Sequence, residues 1–136
     1  MKADIIVKGI IYNRNLNKIL LIQRSNKDSI GANSWENSGG NIENGESPTD
    51  AIKREIAEET GITDIQIKKV AYVTLVNGNN PYLIIAYLCE TPATTVSLSH
   101  EHQAFIWADM NVCNELLPQE IIKDFEDNRI FDCFKI

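Results

Sequence analysis

No stretch of this 136-residue sequence is apolar for long enough to cross a bilayer: the longest such run, residues 83–89, falls far short of the roughly 20 residues that a membrane-spanning helix needs. The amino terminus also lacks the basic-then-apolar build of a secretory signal, because Asp4 interrupts it and further lysines follow, so residence in the cytoplasm is expected. Cysteine is scarce. Cys89, Cys113 and Cys133 are odd in number and show no C-x-x-C spacing, which argues against a disulfide framework and against a cysteine zinc site. All three are expected to be buried thiols. Basic charge is short as well: 13 Lys and Arg stand against 19 Asp and Glu, a net charge of −6, so there is no basic stripe for a nucleic acid polymer, and any phosphate chemistry needs an intervening cation. Repeats, low-complexity tracts and Gly/Ser or Pro-rich linkers are absent, which points to one domain over residues 1–136.

What is present reads as short elements separated by turns. Residues 4–12 and 18–24 are β-branched and aliphatic runs around an asparagine-rich turn, and residues 65–76 and 82–90 are two more around Asn77-Gly78-Asn79-Asn80-Pro81, so two hairpins are predicted. A further strand is expected at 103–108, and a helix at 119–128, where Ile121, Ile122 and Phe125 have helical spacing. The clearest helix is 48–60. Ser47 suits its amino cap, Pro48 its first position, Asp50 the capping box and Gly61 its left-handed stop. This order of elements suggests an α/β or α+β sandwich with a mixed sheet.

That helix carries Glu55, Glu58 and Glu59 at i, i+3 and i+4, on one face and partly in the last turn. Like charges repel there, and the macrodipole favours cations over anions by roughly 0.3–1 kcal/mol each. One reading is a surface charge run relieved by Arg54 and Lys53. The other is a hard-cation site, since Mg²⁺ and Mn²⁺ take carboxylate oxygens and share them with substrate phosphates. A Gly-rich segment, Trp35-Glu36-Asn37-Ser38-Gly39-Gly40-Asn41, lies just upstream and can bring backbone against a metal or phosphate.

Gly40, five residues, Glu46, seven residues, Arg54-Glu55-Ile56, one residue, Glu58-Glu59, one residue and Gly61-Ile62 match the Nudix box at every defining position. The chain thus resembles the Nudix (MutT-like) hydrolases, and the likeness extends to Leu20-Leu21-Ile22-Gln23-Arg24, to Trp35 before the box and to Glu101-x5-Trp107 after it. The resemblance implies an α/β/α sandwich with a central mixed β-sheet and a Mg²⁺- or Mn²⁺-dependent hydrolase that cleaves a nucleoside diphosphate linked to another moiety. It also implies that Glu55, Glu58 and Glu59 bind the metal with the Gly39 carbonyl, and that Glu55 orients or deprotonates the attacking water. Glu101, flanked by His100 and His102, is the second candidate for that role. Arg54 and Glu46 are expected to support the neighbouring carboxylates, and Arg24, Trp35 and Gly40 to meet substrate.

Ser38 stands where many of these proteins have proline, and Asn41 where familiar members have lysine or histidine. Segment 23–41 looks somewhat like the branch that includes isopentenyl diphosphate isomerases, but a loop resembling that enzyme's Thr-Cys-x-His-Pro region is missing. Trp35, Tyr72, Tyr82, Phe105 and Trp107 could stack on a base, although aromatic residues in strands are more often core. A nucleoside triphosphate is the first substrate reading. ADP-ribose, other nucleotide sugars and dinucleotides come next, and a silent nucleotide- or protein-binding module is the competing class. The expected partner is a small nucleotide, with no polymer or membrane, and an uncovered strand edge would suit a homodimer.

Overall fold

The computed structural model describes residues 1–134. Strands β1 (Asp4–Asn13) and β2 (Lys18–Arg24) flank the asparagine turn, in which Asn17 takes φ 55° and accepts a 2.6 Å bond from the Tyr12 hydroxyl. They pair at Tyr12↔Ile19 and Asn13↔Lys18 and then separate. The predicted hairpin is therefore a fork. Residues 35–41 fill it, with β3 (Trp35–Glu36) on β2 and β4 (Ser38–Asn41) on β1, so the Gly-rich segment read as loop is largely strand. Such two- and four-residue strands lack the periodicity by which strands are recognised.

Helix α1 (Pro48–Thr60) forms as its ends dictate. The Ser47 hydroxyl accepts from the Asp50 N–H at 3.2 Å, and Gly61, at φ 75°, donates to the Ala57 carbonyl at 3.0 Å. Strands β5 (Gln66–Val76) and β6 (Tyr82–Glu90) form the second predicted hairpin along their whole length. Strand β6 also runs parallel to β1 from Asp4↔Tyr82 to Tyr12↔Glu90, and β7 (His102–Ala108) pairs β2. The sheet is mixed, as expected. The chain ends in α2 (Met110–Leu116), α3 (Gln119–Asp127) and α4 (Ile130–Phe134), of which only α3 carried a periodic signal.

Alternation along the strands feeds two cores, because successive side chains point to opposite faces. Val7, Ile11, Leu20 and Ile22 pack with Ala51, Ile52 and Ile56 of α1, whereas Ile10, Tyr12, Ile19 and Leu21 pack with Ile122, Phe125, Ile130 and Phe134. The sheet is thus sandwiched between α1 and the carboxy-terminal helices. Cys89 and Cys113 lie in these cores, but Cys133 is exposed, which corrects the expectation that all three thiols are buried. Its neighbours Ile130 and Phe134 supply the buried face of α4, which leaves position 133 toward solvent. Among the described residues, no helix is long and apolar enough to cross a membrane.

Candidate functional site

Helix α1 lays Ala51, Ile52 and Ile56 on the sheet, and this sets the rotation of its glutamates. Glu58 points to solvent, Glu55 is mostly covered, and Glu59 is buried over the fork. Glu59 Oε1 accepts 2.7 Å from the Ser38 hydroxyl and 2.8 Å from the Gly39 N–H. The Ser38 hydroxyl therefore grips one of the three clustered helix glutamates directly. Gly39 itself must lack a side chain, since a Cβ would strike the Val7 carbonyl oxygen on β1.

Arg54 organises the outer carboxylates. Its Nε and Nη2 donate to the two oxygens of Glu46 at 2.7 and 3.1 Å, Nη1 reaches Glu55 at 2.9 Å and Glu58 at 3.2 Å, and Nη2 also bonds the Asn41 carbonyl at 3.0 Å. Glu43 lies 3.6 Å away. Glu46 in turn accepts from the Glu43 N–H at 3.0 Å, tying down the turn before the helix. The bond from Arg54 holds the Glu46 carboxyl below its ordinary value. Burial raises Glu55 instead; Arg54 offsets part of this, and the charges of Glu58 and Glu101 add to it. Burial also raises Glu59, against the bonds from Ser38 and Gly39.

Beneath Glu59 lies a second cluster. Glu36 Oε1 pairs with Lys8 Nζ at 3.1 Å and Arg24 Nη1 at 3.6 Å, while Oε2 is 2.8 Å from His102 Nε2. Burial alone would raise the Glu36 carboxyl, but His102, Lys8 and Arg24 together bring it down to about 2. Lys8 also donates to the Asn37 carbonyl at 3.3 Å, which pins the changeover from β3 to β4.

The structure brings Glu46, Arg54, Glu55, Glu58, Glu59, Gly39 and Gly40 together. Glu101 sits exposed in the turn before β7, near enough for its charge to act on Glu55. Arg24 is drawn between Asp28, at 3.2 Å, and Glu36, and so adjoins the cluster from β2. Trp35 does not: it packs on the opposite face with the core of the carboxy-terminal helices. His100 is exposed and His102 buried. Sequence reasoning gave no role to Glu36, Lys8 or Ser38. Lys8 did carry a signal, as a lone charge inside an otherwise apolar strand run. Among the described residues, no three His, Cys, Asp or Glu side chains stand together as a closed cation cage; Arg54 occupies the space between the outer carboxylates.

Comparison with known proteins locates this arrangement. A family model described as NUDIX domain matches residues 4–125. The CTP pyrophosphohydrolase of Escherichia coli (strain K12) is 37% identical over 109 residues, 79% of this chain and 76% of that protein. The 8-oxo-dGTP diphosphatase of the same organism is 48% identical over 63 residues, 46% of this chain and 47% of that protein, so that match spans about half of the relative's length. The crystal structure of the MutT protein from Methanosarcina mazei Go1 superposes with a TM-score of 0.80 at 26% identity, covering 96% of this chain and 95% of that one.

Proposed function

The chain belongs to the NUDIX domain family, and from that premise we propose that it is a hydrolase of phosphoric anhydride bonds, cleaving a nucleoside triphosphate to the monophosphate and pyrophosphate. The observation that carries this reading is the placement of Glu59 on the Gly39 N–H and of Glu55 over Gly40, with Glu58 joined to Glu55 through Arg54. The names of the CTP pyrophosphohydrolase and the 8-oxo-dGTP diphosphatase support the triphosphate class. The net charge of −6 favours a small substrate over a polymer. Three free thiols fit a reducing, cytoplasmic setting and a single domain over residues 1–136 without disulfides.

The residues fit a hard divalent cation. The donors are all oxygens, Glu55 is pressed by two like charges, and its carboxylate fills the space that a Cβ on Gly40 would take. Glu55, Glu58, Glu59 and the Gly39 carbonyl would hold Mg²⁺ or Mn²⁺. The chemistry such a cation supplies is neutralisation of phosphate oxygens and a lowered pKa of water. Glu55, its proton affinity raised by burial, takes the proton of the attacking water while the anhydride P–O bond breaks and the pyrophosphate or nucleotide oxygen leaves. Glu101, whose charge acts on the same carboxylate, is the second candidate for that role. Arg54, anchored by Glu46, orients Glu55, and Arg24 meets the substrate's phosphates.

The test is pyrophosphate and phosphate release from nucleoside triphosphates, ADP-ribose, other nucleotide sugars and dinucleotides, with Mg²⁺, Mn²⁺ or chelator, for wild type and Glu55→Gln. Turnover that chelator abolishes and the variant lowers by roughly 10²-fold or more is expected. Turnover that is indifferent to both would overturn the assignment.

A further inference from the structure

Glu36 and His102, which the proposed chemistry leaves idle, meet in the fork beneath α1. The His102 side chain is 3% exposed, with Nε2 at 2.8 Å from Glu36 Oε2. Lys8 and Arg24 face the other oxygen of Glu36, so the group is a carboxylate, an acceptor only, and the imidazole must donate through Nε2. Nδ1 is thereby turned toward α1, where it is buried, has no hydrogen-bond partner and stands 3.9 Å from Glu59 Oε2. Buried polar atoms without partners are rare in folded proteins. The Glu59 oxygen near Nδ1 is the one that neither Ser38 nor Gly39 engages, since both of those donors bond Oε1, so the imidazole edge is what packs beside Oε2.

We propose that Glu36 and His102 are positioning residues for this site: Glu36 clamps the imidazole, the imidazole edge sets the plane of the Glu59 carboxylate, and Glu36 holds Arg24 through its other oxygen. A carboxylate held through Oε1 alone can swing about that contact, and a fixed neighbour at Oε2 removes the freedom. Ligand carboxylates work within narrow angular limits, and partners one layer out commonly change metal affinity by roughly 10–100-fold. Glu36 thus joins the substrate side of the site to the cation side. The inference rests on the reading of Glu59 as a cation ligand and of Arg24 as a substrate contact.

The Gly39 amide bonds Glu59 Oε1 at 2.8 Å, so its NMR resonance reports the placement of Glu59 without metal or nucleotide. The variants are His102→Phe, His102→Asn, which keeps a polar atom near Nδ1, and Glu36→Gln. They are compared by the Gly39 amide shift, by Mn²⁺ affinity in calorimetry and by steady-state kinetics. In His102→Phe the Gly39 resonance moves, Mn²⁺ binds roughly tenfold more weakly, and kcat falls while KM stays within about twofold. His102→Asn recovers part of the Mn²⁺ affinity. Glu36→Gln weakens Mn²⁺ binding and also raises KM, because Arg24 is released. An unmoved Gly39 resonance with unchanged Mn²⁺ affinity in folded His102→Phe overturns the proposal, and if that variant does not fold, the same readouts on Glu36→Gln decide it. A wild-type protein that neither binds Mn²⁺ nor turns over any nucleotide defeats the functional reading, whereas the Gly39 resonance still decides whether His102 places Glu59.

Discussion

The carboxylate of Glu55 lies so close over Gly40 that a Cβ on that glycine would stand 2.6 Å from its Cδ and Oε1. Gly40→Ala must therefore push Glu55 aside. A kcat loss of roughly tenfold or more is expected, since misplacement by about 1 Å can cost 10²-fold. Gly45→Ala is the matched control: nothing lies within 4 Å of its Cβ, but its φ is +82°. That change should cost roughly 1 kcal/mol of stability and leave kcat alone. Kinetics and urea unfolding of the two variants separate the effects, and equal kcat losses would refute the contrast.

Arg54 grips Glu46 with two nitrogens and Glu55 with a third, a fork that a lysine cannot reproduce. Arg54→Lys keeps the charge, yet its kcat should fall by roughly tenfold or more. Stability should change by less than about 1 kcal/mol, because these pairs are partly solvated. Wild-type kinetics in that variant would show that charge alone suffices.

Acid should unfold the protein in part through Glu36. Its carboxyl is held at about 2, below the ordinary 4.5, so the stabilisation is complete above pH 4.5 and is lost as pH falls from 4.5 toward 2. The full effect is on the order of 3 kcal/mol. Glu55 and Glu59 are shifted upward and act in the opposite sense: acidification toward the ordinary value favours the fold. Urea unfolding across pH should thus show stability declining below 4.5, and the decline should flatten in Glu36→Gln. An equally steep decline in that variant would assign it elsewhere.

Cys133 is exposed, while burial pushes the thiols of Cys89 and Cys113 up to about 12. A thiol reagent at neutral pH should label Cys133 promptly in the native protein and reach the other two only after denaturation. Mass spectrometry of labelled peptides reads this directly, and native labelling of Cys89 would contradict the core assignment.

The parts of this structure legible in the sequence are those whose signals are local. Ser47, Pro48 and Gly61 mark both ends of α1, and Asn77 to Pro81 mark the turn between β5 and β6. The box spacing likewise lies within one helix and the turn before it. Strands β3 and β4 stayed hidden because they are held by partners far along the chain and not by their own pattern. Glu36 and His102 are 66 positions apart and meet only because β3 and β7 both pair with β2. The side taken by Trp35, against the core of the carboxy-terminal helices, was hidden for a related reason: the face a side chain takes in a two-residue strand depends on the register of its neighbour, Gln23↔Trp35.

The fork between β1 and β2 also orders events in time. Its turn can close early, but β4 must cross to β1, and β1 must find β6 from Asp4↔Tyr82 to Tyr12↔Glu90, before Gly39 and Gly40 have a fixed place. Chain closure over such separations is slow relative to helix formation. Helix α1 can thus wind early, with Arg54 already meeting Glu55 and Glu58 along its own face, while Glu59 gains the Ser38 hydroxyl and the Gly39 N–H only when β4 is in place. The site thus depends on pairings drawn from both halves of the chain, β4 with β1 and β1 with β6, and not on the helix alone.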